Sequence, residues 1–140
     1  MADRLGYLLK HAQLRFAQLS AHALQPYGVT GRQCAILATI DGANALSQQD
    51  VARILDVDRT TMVALIDELE HAGLVRRKTH PGDRRKNVVE LTEDGANTLR
   101  ASEVARREAE QRFLSSLSVA DAQRFHDALR AVIRDNPTDR

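Results

Sequence analysis

Between Leu74 and Val88 the chain carries Arg76, Arg77, Lys78, Arg84, Arg85 and Lys86 against the single carboxylate of Asp83. That is +5 in fifteen residues of a 140-residue chain whose formal net charge is only +1, so the remainder is net negative. Cations this dense form an electrostatic footprint for a polyanion. Arginine outnumbers lysine seventeen to three, and its planar fork suits two-point contacts to phosphate. A second useful set, Arg59, Thr60, Thr61 and Val63, follows the helix-capping residue Asp58. An arginine grips guanine through two hydrogen bonds, a valine packs on a thymine methyl, and a threonine hydroxyl reaches a phosphate.

Other chemistries find little support. There is no glycine-rich phosphate loop, no GxSxG and no HExxH, and the carboxylates fall mostly in helix caps or on polar faces. The expectation is a protein that is not an enzyme and takes no cofactor. His11, His22, His71, His80 and His126 include no pair at helical ligand spacing, so no metal is expected. His80, set among cations in a turn, is expected to meet phosphate or solvent. Cys34 stands alone, so no internal disulfide forms. Its two readings are a small buried hydrophobe and a redox-sensing thiol, the second lacking any resolving cysteine in the chain.

These groups need a scaffold. Apolar residues at Leu5, Leu8, Leu9, Ala12, Phe16, Leu19 and Ala23 predict an amphipathic first helix over residues 3–25, ended by Pro26. Thr30 and Gln33 form a capping box for a second helix with Ile36, Leu37 and Ile40 buried. Ser47 starts a short third helix whose Val51, Ile54 and Leu55 face inward. Asp58 caps a fourth, with a stripe of Met62, Leu65, Ile66 and Leu69 and Gly73 as its left-handed stop. Two extended runs, Leu74–Lys78 and Asn87–Leu91, flank a basic loop built on Pro81-Gly82, where Gly82 is expected to take a positive φ. Thr92 caps a fifth helix to about Leu114, polar nearly all round in its middle and so solvent-bridging or packed only at its ends. Ser118 and Asp121 cap a sixth, with Ala122, Phe125, Leu129, Val132 and Ile133 on one face. The tail 135–140 is expected to fray.

Short helix, turn, helix and basic hairpin make a helix-turn-helix followed by a wing. The fourth helix would enter the major groove of duplex DNA, and the hairpin would track the backbone with an arginine in the minor groove. With 43% hydrophobic and 28% charged residues the chain suits one soluble domain. It has no membrane-length apolar run and no visible signal segment, so a cytoplasmic location is expected.

Three stretches carry a resemblance: Leu46–Leu55, Asp58–Val63 and Leu69–Arg77. The most specific piece is Asp83-Arg84-Arg85 followed by Val88-Val89-Glu90-Leu91-Thr92-Glu93-Asp94-Gly95. Together they resemble the multiple antibiotic resistance regulator (MarR) family of winged-helix transcription factors over almost the whole chain. The resemblance implies a mainly α fold of six helices with a two-stranded wing, in an intertwined homodimer. Residues 30–91 would read DNA, and residues 3–26 and 92–134 would dimerise. It further implies a repressor of a pseudo-palindromic operator, relieved by a small aromatic effector. DNA contacts are then expected from Ser47, Gln48, Arg59, Thr60, Thr61, Val63, Arg76, Arg77, Lys78, His80, Asp83, Arg84, Arg85 and Lys86, with Asp83 orienting an arginine by an ion pair.

Tyr7, His11, Arg15, Tyr27, Arg32 and Cys34 are the candidate ligand residues. The position of Cys34 is usually aromatic in this family, so side-chain volume is left that either its neighbours fill by collapsing or that remains as a ligand pocket beside it. The chain also departs from the family at Val63, Ala64 and Glu68, where basic or hydroxyl residues are common. A winged-helix module that binds protein or RNA is the reading from another class.

Overall fold

The computed structural model describes residues 1–134, so the expectation for the tail 135–140 lies outside the described residues. The chain folds as α1 (Leu5–Leu24), a 3-10 turn (Gln25–Tyr27), α2 (Gly31–Asp41), α3 (Gln48–Ile54), α4 (Arg59–His71), β1 (Val75–His80), β2 (Asp83–Leu91), α5 (Glu93–Phe113) and α6 (Val119–Arg134). No described helix is long and apolar enough to cross a membrane.

Local chemistry fixes the boundaries as the spacing predicts. The Thr30 hydroxyl accepts from Gln33 N–H while the Gln33 side chain accepts from Thr30 N–H. Ser47 and Asp50 do the same for α3, and Asp58 and Thr92 cap α4 and α5. Gly28 and Gly73 end their helices at φ +67° and +77°, a backbone that costs glycine nothing. Asp56 and Ala45 also have positive φ, at 52° and 55°. Asp56 makes the tight turn between α3 and α4, where a short polar side chain tolerates the left-handed region.

One core holds the head together. Ile36, Leu37, Ile40, Val51, Ala52, Met62, Ile66, Leu69, Val75, Val89 and Leu99 are buried in a single cluster. Ile54 departs from expectation: it is 57% exposed. On α3 the buried arc runs through Val51, Ala52 and Leu55, and Ile54 falls roughly 110° from its centre.

α5 also departs. Gly95, Leu99, Ser102, Ala105 and Ala109 form a buried stripe of mostly small residues, so α5 packs against α1 and α2 along much of its length. Phe113 closes the far end edge-on against Phe16, ring centroids 5.3 Å apart. α1 buries only Leu24 and α6 buries nothing, although both are amphipathic.

Candidate nucleic-acid interface

The first turn of α4 stands clear of the core. Met62, Ile66 and Leu69 turn inward, which leaves Arg59, Thr60 and Ala64 exposed and Val63 half-buried. Asp58 anchors this turn by accepting from Thr61 N–H at 2.8 Å and from the Thr61 hydroxyl at 2.6 Å. Those bonds hold the Asp58 carboxyl below its usual pKa. Thr61 therefore serves the cap, and its hydroxyl proton is already committed.

The hairpin differs from the expected one in a way that matters for charge. β1 and β2 extend to a two-residue turn, Pro81-Gly82. Gly82 does not take a positive φ. The turn is held instead by side chains: His80 Nδ1 accepts from Gly82 N–H at 2.9 Å, and Asp83 Oδ1 accepts from Arg85 N–H at 3.0 Å. Asp83 thus shapes the backbone and makes no ion pair with an arginine among the described residues. The ladder pairs Thr79 with Asn87 and then His80 with Asp83. Arg84, Arg85 and Lys86 consequently face no residue of β1 and bulge from the sheet, all exposed and without an ion pair among the described residues.

The stem cations behave differently. Arg77 points at the head, where Nη1 meets Glu70 Oε1 at 2.8 Å and Nη2 meets Asp67 Oδ1 at 2.6 Å. Its Nη2 also donates to Gln48 Oε1 at 3.0 Å, and its N–H donates to Glu70 Oε2. Arg77 and Gln48 are therefore a strut joining β1, α4 and α3, not free phosphate ligands. On the other face of β1, Arg76 Nε donates to Glu90, and Lys78 Nζ lies 3.8 Å from Glu90 Oε2. The Arg76 guanidinium holds the Glu90 carboxyl below the ordinary carboxylate range.

Between α3 and the wing runs a polar cleft of about 660 Å³, lined in part by Ser47, Gln48, Arg77, His80, Arg85 and Lys86. Ser47 spends its hydroxyl on Asp50, donating to Oδ2 at 2.9 Å. That bond and Ser47 N–H lower the Asp50 pKa, with Arg53 and Lys86 adding attraction.

The arrangement is a helix-turn-helix with a basic wing, and known proteins share it. A family model described as MarR family matches residues 27–86. A candidate transcriptional regulatory protein for the hcr operon of Thauera aromatica is 32% identical over 137 residues, covering 97% of this chain and 82% of that protein. This chain belongs to the MarR family. The transcriptional repressor CouR, solved bound to a 23-mer DNA duplex, superposes with a TM-score of 0.87 at 32% identity, covering 94% of each chain. The PcaV regulator from Streptomyces coelicolor, solved with its natural ligand, gives 0.83 at 25% identity, covering 96% of this chain and 94% of that one.

The signature that marks the MarR resemblance has a physical basis in this chain. A Cβ on Gly95 would stand 1.9 Å from the Leu74 carbonyl oxygen. That carbonyl accepts from Thr92 N–H at 3.1 Å, and the Thr92 hydroxyl donates to Gly73 O at 2.6 Å. Thr92 and Gly95 thereby fasten the start of α5 to the end of α4, which sets the wing relative to the recognition helix.

The expected ligand residues come from α1, the turn after it and the start of α2. Tyr7 and His11 are in contact with their rings tilted by 39° and centroids 4.0 Å apart, and they and Arg15 are exposed on α1. Tyr27 lies in the turn after α1 and Arg32 at the start of α2, both exposed. Cys34 is buried against Leu24, Val29 and Leu74, with its thiol 3.5 Å from the Ser102 hydroxyl. Burial raises the thiol pKa, opposite to what an activated thiolate needs. A groove of about 300 Å³ lies elsewhere, between α1, α5 and α6, lined by Leu9, Phe16, Phe113, Phe125 and Leu129 among others. None of the six expected ligand residues lines it or the α3–wing cleft.

Proposed function

We propose that this protein is a dimeric, sequence-specific repressor of transcription that binds a pseudo-palindromic duplex operator in the cytoplasm. The observation that carries the reading is the juxtaposition of two exposed groups on one head. Arg59 and Thr60 lie exposed at the start of α4, and Arg84, Arg85 and Lys86 bulge exposed from the wing, without an ion pair among the described residues. The α4 pair reads base edges in the major groove, with Val63 against a thymine methyl. The wing cations follow the phosphates toward the minor groove.

Residues 30–91 form the reading head, and residues 3–26 and 92–134 form the dimer base. The support is what one chain leaves uncovered: Leu5, Leu8, Leu9, Phe125, Leu129, Val132 and Ile133 are 36–73% exposed on α1 and α6. A second copy laying its terminal helices on these faces would bury them and hold two heads about one helical turn of DNA apart. A small aromatic effector then acts by favouring a head spacing that cannot span both half-sites. That PcaV was solved with its natural ligand supports the binding of an effector.

Selection from random duplex DNA tests the reading. The enriched sequences should contain an inverted repeat with half-sites about 10 base pairs apart. Enrichment of no motif, with equal affinity for every duplex, would overturn it.

A further inference from the structure

The stem of the wing carries a charge pattern that DNA binding alone does not explain. Arg76 and Glu90 face each other across the ladder, and Lys78 lies two residues further along the same side of β1. Glu90 contacts both cations, yet all three groups keep access to solvent: Arg76 and Lys78 side chains are 64% and 61% exposed, and Glu90 is 32% exposed. Lys78 pairs with Val88, and the unpaired cations begin at Lys86, two residues along β2. Two residues of extended chain span roughly 7 Å, within one screening length at physiological salt. Phosphates drawn to the tip therefore come within the field of the stem.

We propose that Glu90 is an affinity-limiting residue that withholds Arg76 and Lys78 from the DNA backbone, standing in for a phosphate on the wing's stem. This rests on the DNA-binding reading above. Phosphate contacts add affinity for every sequence alike, so each cation withheld lowers binding to every duplex by a similar factor and weakens the hold on random DNA without altering which sequence is preferred. Of the six wing cations only Arg84, Arg85 and Lys86 then remain for phosphate, because Asp67 and Glu70 hold Arg77 and Glu90 holds the other two.

The test measures binding of the full chain to a fluorescent random-sequence duplex of about 25 base pairs, across a salt series. Glu90→Gln keeps size and polarity and removes the charge. Each freed cation that meets a phosphate should steepen the log–log salt slope by about 0.9. The expected result is therefore a slope steeper by about 1–2 per bound protomer and tighter random-duplex binding. Binding to a selected operator should tighten by a similar factor, leaving its preference over the random duplex near the wild-type value. Adding Arg76→Gln and Lys78→Gln to Glu90→Gln should return the slope to the wild-type value, which separates freed cations from a changed fold. Thermal melting of each variant checks that the head is intact. An unchanged slope in folded Glu90→Gln overturns the proposal while leaving DNA binding standing. A wild-type protein whose binding shows no salt dependence, or that binds no duplex, overturns both.

Discussion

Side chains of one type do different work on this wing according to what lies beside them. Arg84 and Arg85 have no carboxylate partner among the described residues, whereas Arg77 has two and a glutamine besides. Replacing Arg84 or Arg85 by alanine should weaken binding to all duplexes and reduce the salt slope by about one unit each. Arg77→Ala should leave that slope nearly unchanged. Its effect belongs to stability, a loss of about 1 kcal/mol in urea unfolding, since an exposed ion-pair network is worth little more. If Arg77→Ala reduces the slope as Arg84→Ala does, the strut assignment is wrong.

Cys34 gives a second residue-scale prediction. The residue is 4% exposed, and burial raises the pKa of its thiol. Peroxide should not release the protein from DNA, and thiol reagents should label Cys34 only at the rate of unfolding. Cys34→Phe should cost about 1–3 kcal/mol by overpacking against Leu24 and Val29. Release by peroxide that Cys34→Ser abolishes would restore the redox reading.

At the scale of elements the junction at Gly95 is the most sensitive point. Gly95→Ala places a methyl 1.9 Å from a backbone oxygen that cannot move without breaking the Thr92 bond. A loss of about 3 kcal/mol is expected in urea unfolding, and a variant as stable as wild type would contradict the geometry.

Much of this scale was legible in the chain. Thr30, Ser47, Asp58 and Thr92 announce four helix starts because capping is local chemistry. The period of Met62, Ile66 and Leu69 announces the face of α4. Long-range contacts were not legible. Asp67, Glu70 and Gln48 look like ordinary polar surface until the fold brings them to Arg77. The stripe Gly95, Ser102, Ala105 and Ala109 is too small and too polar to register as hydrophobic, though close packing needs just such residues. The bulge of Arg84–Lys86 depends on strand register, which a Pro-Gly pair alone does not set.

At the scale of the whole molecule, one chain leaves the apolar faces of α1 and α6 largely uncovered. α6 concentrates its apolar residues on one face and buries none of them. Leu129→Glu should convert a dimer into a monomer in sedimentation or light scattering while the head keeps its helical signal. A wild-type chain that stays monomeric at micromolar concentration would contradict the dimer. Monomers should also bind DNA far more weakly, since a second half-site raises affinity through effective concentration without new contacts.

The central claim is that α4 reads sequence while the wing supplies charge. The most direct measurement compares, at one salt concentration, affinity for the selected operator and for a random duplex, in wild type and in Arg59→Ala. Wild type should prefer the operator by at least about 1,000-fold. Arg59→Ala should lose about 1–3 kcal/mol on the operator, relax preference at one base pair per half-site, and bind the random duplex almost as before. Equal affinity of the wild type for both duplexes, or a uniform loss on both in Arg59→Ala, would contradict the account.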